Sequence, residues 1–315
     1  MPEPQLQPKG TAIVDSHGTL NAAALAHASF VLAVDSDGCA FDNMNLKHNE
    51  CFTPTTIRYW GLESVAREAR ETATFINLRS RHRGLNRFAA LVRLFDMLKD
   101  RPEVRIRLKL PCFDGLRRWV ATSDQLSRAS LQAAMQTDDC PSLRNALAWT
   151  DAINKAVRAT THDVAPVPGV GECLQLAAAR ASIVIVSAAD TPTLRREWSQ
   201  HGLLRNVTAV AGQEAGTKSD TLKRLRSFGF RADAILMVGD APGDLAAAQA
   251  ANTAFFPIVP GEESASWARL AGEGLPRFLA DDFCGDYEEN LAKQFLTALP
   301  ENPDWKTCSA DEKVH

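Results

Sequence analysis

Five short apolar runs punctuate the chain: Phe30 to Asp35 (FVLAVD), Ser182 to Ser187 (SIVIVS), Val207 to Ala211 (VTAVA), Ala234 to Asp240 (AILMVGD) and Thr253 to Val259 (TAFFPIV). They are too short for helices and rich in β-branched or small residues, the pattern of strands buried on both faces. Helical spacing follows the later runs, at Thr191 to His201, Lys218 to Phe228, Pro242 to Ala251 and Glu263 to Ala271. Strands alternating with helices predict βαβ units and a parallel sheet, with functional groups in the loops at the carboxyl ends of the strands.

The first two runs stand much further apart than one crossover requires. Within the gap, LESVAREARETATFINL and LNRFAALVRLFDMLKD place apolar residues three and four apart, so the pattern predicts an inserted helical domain. APVPGVGE at 165–172 marks the return to the sheet. The reading divides the chain into an N-terminal extension (1–29), a core in two pieces (30–48 and 165–299), a helical insertion (49–164) and a tail (300–315). Asp286 to Leu299 reads as a last amphipathic helix, and the residues after it as a loose tail.

Composition narrows the class. A chain of 315 residues with 45% hydrophobic residues can bury a large core. The formal net charge of −3 argues against nucleic acid as a partner. Seven scattered cysteines, with no metal-binding spacing, suit a reducing cytoplasm. No signal-peptide pattern opens the chain and no apolar run is long enough for a membrane span, so a soluble protein is expected.

The chemistry lies at the strand ends. Asp35-Ser36-Asp37-Gly38 puts two carboxylates two residues apart, on one side of an extended chain. Such a pair calls for a hard cation such as Mg²⁺ or for an acid/base and nucleophile pair; an ordinary Asp/Gly turn is the plain alternative. Asp240 and Asp244 recur in Val-Gly-Asp-Ala-Pro-Gly-Asp, where Asp244 suits either a site or the helix start. If the two strands are neighbours, four carboxylates converge. Ser187, before a helix, suits anion binding or a cap, with Asp190 as the other cap candidate. Lys218 opens a helix, an unfavourable place for a cation unless carboxylates lie close.

Taken jointly, the order Asp-x-Asp-Gly, Ser, Lys, Gly-Asp-x-x-x-Asp, each after its own strand, resembles the haloacid dehalogenase superfamily. The resemblance covers roughly residues 30–50 and 165–285, and the insertion resembles that superfamily's C1 cap. It implies an α/β fold, a modified Rossmann parallel sheet with an all-helical cap. It also implies that Asp35 is the nucleophile, forming an aspartyl phosphate, and that Asp37 protonates the leaving oxygen and later activates water. Ser187 and Lys218 would hold the phosphoryl group, and Asp35, Asp37 (through its backbone carbonyl), Asp240 and Asp244 would bind Mg²⁺. Cys39 stands where the commonest pattern has threonine, and Lys223 is a second candidate for the lysine. A nucleophilic role for Cys39 has no support from its neighbours.

An alkoxide leaving a phosphate ester needs a proton and a halide does not, so Asp37 argues for phosphate esters. Substrate choice is expected in the cap and its linker. Asp42, Lys47 and His48 lie at the cap entrance, and Arg79, Arg81, Arg83 and Arg87 crowd into nine residues as anion-binding candidates or a solvated basic face. Arg58, Trp60 and Trp119 read as cap packing. The expectation is a cytoplasmic, Mg²⁺-dependent phosphatase of a small phosphorylated metabolite, sugar phosphates included, as monomer or homodimer. The alternatives are a phosphomutase of the β-phosphoglucomutase type and a non-catalytic binding or regulatory protein.

Overall fold

The computed structural model describes residues 20–25, 27–160 and 164–305. Phe30–Val34 (β1), Ala181–Val186 (β2), Ala209–Ala211 (β3), Ile235–Gly239 (β4) and Ala254–Pro257 (β5) form one parallel sheet in the order β3-β2-β1-β4-β5. Val34 of β1 lies opposite Ile185 of β2 and Val238 of β4. That register brings Asp35, Ser187 and Asp240, each just past its ladder, to one edge. The third strand is shorter than its apolar run: Val207 lies outside the ladder.

Alternation along the strands feeds two cores. Leu32, Val34, Ile183, Ile185, Leu236 and Val238 point to one face, where Trp198, Trp267 and Phe278 cover them. Val31, Ala33, Val184, Val186, Ile235 and Met237 point to the other, beneath helices Lys218–Ser227, Pro242–Ala251 and Asp286–Ala298. Each large side chain removed from water contributes roughly 1.5–3 kcal/mol, so these layers set the register firmly. The helix expected over Glu263 to Ala271 continues through a π-turn, Leu270–Gly274, into Leu275–Leu279. Gly274 permits this, because a β-carbon there would lie 2.8 Å from the Phe256 ring.

The insertion has a core of its own. Helices Thr53–Tyr59, Ala66–Leu78, Arg87–Lys99, Asp114–Thr122 and Pro141–Thr160 gather around Phe88, Phe95, Trp119 and Trp149. Trp60 is buried there as expected, whereas Arg58 is exposed and lies over the Tyr59 ring. The chain leaves and re-enters the sheet domain by adjacent paths: Phe41 bridges Pro166, and Val167 N–H donates to the Ala40 carbonyl at 2.9 Å.

Two expectations about the ends need correction. Leu20 and Leu25 are buried in the sheet core, so residues 20–25 belong to it, while 1–19 lie outside the described residues. Residues 300–305 are not loose. The Pro300 carbonyl accepts from Arg81 N–H, and Trp305 packs on Phe75 and under the Arg101 guanidinium, 4.7 Å from the ring centre. The sheet domain's last helix thereby ends in a strap across the cap. Residues 306–315, with Cys308, lie outside the described residues. Among the described residues no helix is long and apolar enough to cross a membrane.

Candidate active site

Asp35 leaves β1 with its N–H still donating to the Val238 carbonyl, which fixes where its carboxylate emerges. Oδ1 accepts from Ser36 N–H at 2.7 Å and Oδ2 lies 2.6 Å from Lys218 Nζ. Lys218 is the first residue of its helix, capped by Thr217 with Asp220, and its side chain runs back between Asp35 and Asp244. Those two carboxylates compensate a cation that the helix dipole alone would disfavour. Asp244 resolves its two readings by satisfying both: Oδ2 accepts from Ala241 N–H as a cap at 3.0 Å, and Oδ1 meets Lys218 at 2.5 Å. Gly239 makes room, since a β-carbon there would run into the Asp244 carboxylate.

Asp35, Asp240 and Asp244, all buried, each offer an oxygen within 4.8 Å of the others. Burial, reinforced by Asp244 and Asp240 against the pull of Lys218, pushes the Asp35 carboxyl up to about 8. Burial likewise pushes Asp240 up to about 6, although Arg83 opposes it. Burial would lower Lys218, but Asp244 and Asp35 outweigh it and hold the ammonium charged.

Asp37 departs from expectation. Its side chain is absent from the carboxylate cluster, so three acids converge rather than four. Asn43 Nδ2 and Lys47 Nζ both donate to its Oδ1, the lysine at 2.6 Å. Burial would raise this carboxyl, but Lys47 and the two hydrogen bonds outweigh it and hold Asp37 ionised, below the usual carboxylate range. Lys47 is thus committed to an acid of the site, and Asn43 is a partner the sequence reading missed. Gly38 follows with φ +77°, and a β-carbon there would lie 2.6 Å from Arg83 Nη2 and collide with Asp240.

Two indoles hold this loop from below. Trp198 Nε1 donates to Ser36 Oγ at 3.0 Å and Trp267 Nε1 to the Cys39 carbonyl at 2.9 Å. Burial pushes the Cys39 thiol well above its ordinary range, which makes it an inert core group. Ser187 is buried at the end of β2 with its hydroxyl accepting from Ala189 N–H, and Asp190 caps the next helix. Lys223 and Asp42 are exposed. His48, at the cap entrance, stacks on Phe52, and burial with Arg83 and Lys47 lowers it to about 3, so the ring is neutral.

The arginine run divides. Arg79 and Arg81 face solvent, with Arg81 3.9 Å from Glu301. Arg87 donates within the cap to Thr150 and Asn154. Arg83 crosses to the sheet domain, with Nη2 2.5 Å and Nε 2.7 Å from Asp240 Oδ2. Asp240 Oδ1, also buried, has no hydrogen-bond partner among the described residues. An all-oxygen set of crowded acids with an orphaned carboxylate oxygen fits a hard divalent cation such as Mg²⁺.

Residues 122–258 match the sequence profile of haloacid dehalogenase-like hydrolases. The likeness to haloacid dehalogenase-like hydrolases thus spans β2 to β5. The matched segment carries Ser187, Lys218, Asp240 and Asp244, while Asp35 and Asp37 precede it. Among solved structures, the chain is similar to a haloacid dehalogenase-like hydrolase from Streptococcus pneumoniae (10% identity, 78% of this chain and 91% of that one, TM-score 0.42). A candidate phosphoglycolate phosphatase from Lactobacillus plantarum aligns at 11% identity over 76% and 90% of the chains, with TM-score 0.42. A 2-haloacid dehalogenase from Pseudomonas syringae aligns at 17% identity over 72% and 84%, with TM-score 0.35. No curated protein matches the sequence. At the sheet edge the acids meet a cation from the cap, Arg83.

Proposed function

We propose that the protein is a Mg²⁺-dependent phosphatase of small phosphorylated metabolites, acting in the cytoplasm without nucleic acid or membrane, as monomer or homodimer. The observation that carries this reading is a second, half-buried acid, Asp37, held beside the cluster of Asp35, Asp240 and Asp244 by Lys47 and Asn43. A halide leaves without a proton, so a carboxylate maintained there suits ester cleavage.

In this scheme an Asp35 oxygen attacks phosphorus as the phosphorus–oxygen bond of the ester breaks, and the leaving alkoxide takes a proton from Asp37. Water then gives its proton to Asp37 and attacks the aspartyl phosphate, which releases inorganic phosphate and restores Asp35. Lys218 and Ser187 neutralise and orient the transferring group. Asp35, Asp240 and Asp244, with the Asp37 backbone carbonyl, would hold Mg²⁺, which when bound supplies charge neutralisation. Lys47 keeps Asp37 ionised at rest, so the proton it gives the leaving alkoxide is taken up from solvent as the anionic substrate binds, and the carboxylate left after that step is the form that takes the proton from water.

Purified protein should release inorganic phosphate from members of a phosphomonoester panel that includes sugar phosphates, and should lose the activity with a chelator or with Asp35→Asn. Turnover unchanged in Asp35→Asn would overturn the assignment. Conversion of a sugar 1-phosphate to the 6-phosphate without phosphate release would select a mutase, and ligand binding without any turnover would select a regulatory protein.

A further inference from the structure

The contact between Arg83 and Asp240 is built from both sides. Arg83 is 4% exposed and Asp240 2%. Arg83 N–H donates to the Ser80 carbonyl and its Nη1 to the Leu78 carbonyl, which anchors the loop to the end of helix Ala66–Leu78. Gly84, at φ +80°, presses so close to the sheet domain that a β-carbon there would lie 2.6 Å from Ala241 Cβ. On the other side, Gly38 leaves open the space beside which Arg83 Nη2 lies. Two glycines, one from each domain, thus shape a slot for one guanidinium.

Both Nε and Nη2 take the same oxygen of Asp240 and leave Oδ1 unpartnered. Asp240 also belongs to the cluster that fits a divalent cation. A carboxylate already bearing two charged N–H donors is a poorer metal ligand. A fixed positive charge one carboxylate away repels a divalent ion strongly where water is excluded.

We infer that Arg83 is a cap-borne positioning residue that competes with the metal for Asp240, so that docking of the loop at residues 80–87 and metal binding oppose each other. The inference rests on the metal site of the proposed function. Because coupling is reciprocal, the factor by which docked Arg83 weakens the metal is the factor by which the metal weakens docking. Metal loading therefore frees the loop and opens the seam between cap and sheet domain. A phosphoryl dianion arriving there offers the released guanidinium a new fork of oxygens, which draws the cap closed over substrate.

The test titrates Mg²⁺ and Mn²⁺ by calorimetry into the chelator-treated full chain as wild type, Arg83→Gln and Arg83→Lys. Hydrogen exchange is followed in the wild type with and without Mg²⁺. Arg83→Gln should bind metal about tenfold tighter or more, and Arg83→Lys, which keeps the charge but not the fork, should fall between the two. In the wild type, amides at 79–87 should exchange faster with Mg²⁺. Equal or weaker metal binding by Arg83→Gln, or exchange at 79–87 that slows or stays constant with Mg²⁺, would overturn the inference and leave the metal site standing. Failure of all three proteins to bind either metal would remove both. The exchange measurement needs only the wild type and decides the matter even if Arg83→Gln folds poorly.

Discussion

Replacing Asp35 by asparagine should abolish turnover and yet make the fold more stable at mildly alkaline pH. Burial and the neighbouring acids move this carboxyl from 3.8 to about 8. A folded-state value above the unfolded one means that the native state binds more protons through that window, so stability falls as pH rises from about 4 to 8. At roughly 1.4 kcal/mol per pH unit, the wild-type cost is on the order of 5 kcal/mol at pH 8 and about 2 kcal/mol at pH 5. Asparagine has no proton to lose, and its oxygen can still accept from Ser36 N–H. It gives up the Lys218 contact, about 1.5–3 kcal/mol for a hydrogen bond to a charged group, while Lys218 keeps Asp244. The balance is a gain of about 2–4 kcal/mol at pH 8 and close to none at pH 5. Urea unfolding followed by circular dichroism, with chelator present at both pH values, measures the gap directly. A variant less stable than wild type at pH 8, or a gap that does not change with pH, would refute the claim that Asp35 is held at a cost in stability.

Two further changes probe the cap side. Lys47→Met removes the main influence holding Asp37 ionised, so the Asp37 carboxyl rises and the acidic limb of the kcat/KM profile moves to higher pH. The native Asp37 value lies below its unfolded one, so wild type also carries stability that is lost as pH falls through that lowered value, and Lys47→Met should flatten this loss; an unmoved limb would show that Lys47 does not set the ionisation. Trp305→Ala removes the strap's contacts with Phe75 and Arg101 and should cost about 1–3 kcal/mol, with faster amide exchange in helix Ala66–Leu78; unaltered exchange there would mean the strap does not restrain the cap.

The sheet edge was legible because its signals are local. A buried strand declares itself over five or six residues, and polar residues just past its end mark the loops that carry chemistry. Asp35, Lys218, Asp240 and Asp244 follow from that rule, and the structure brings them together. What the sequence hid are pairs that depend on how one domain sits on the other. Arg83 and Asp240 are 157 residues apart, and nothing near Arg83 separates it from its neighbours in a basic run. The detachment of Asp37 from the cluster goes with hydrogen bonds from Asn43, just before the short helix Met44–Leu46, and from Lys47, which opens a π-turn at Lys47–Phe52 that the spacing did not reveal. Trp198 was more accessible: with Leu194 it forms an apolar pair four residues apart on an otherwise polar helix, the spacing of a face turned inward.

Charge accounting connects these observations. Asp35, Asp37, Asp240 and Asp244 are met by Lys218, Lys47 and Arg83, and of these three only Arg83 belongs to the cap. Lys47 lies in the core segment that leads into the cap, so moving the cap away strips the sheet domain of one of its three compensating cations, the one on Asp240. Buried acids cannot stay ionised without compensation; they take up protons or bind a cation from solution. In the proposed scheme Asp35 must be ionised to attack phosphorus, so protonation would silence it and a divalent cation would preserve it. On that scheme the need for a metal is greatest when Arg83 has left Asp240.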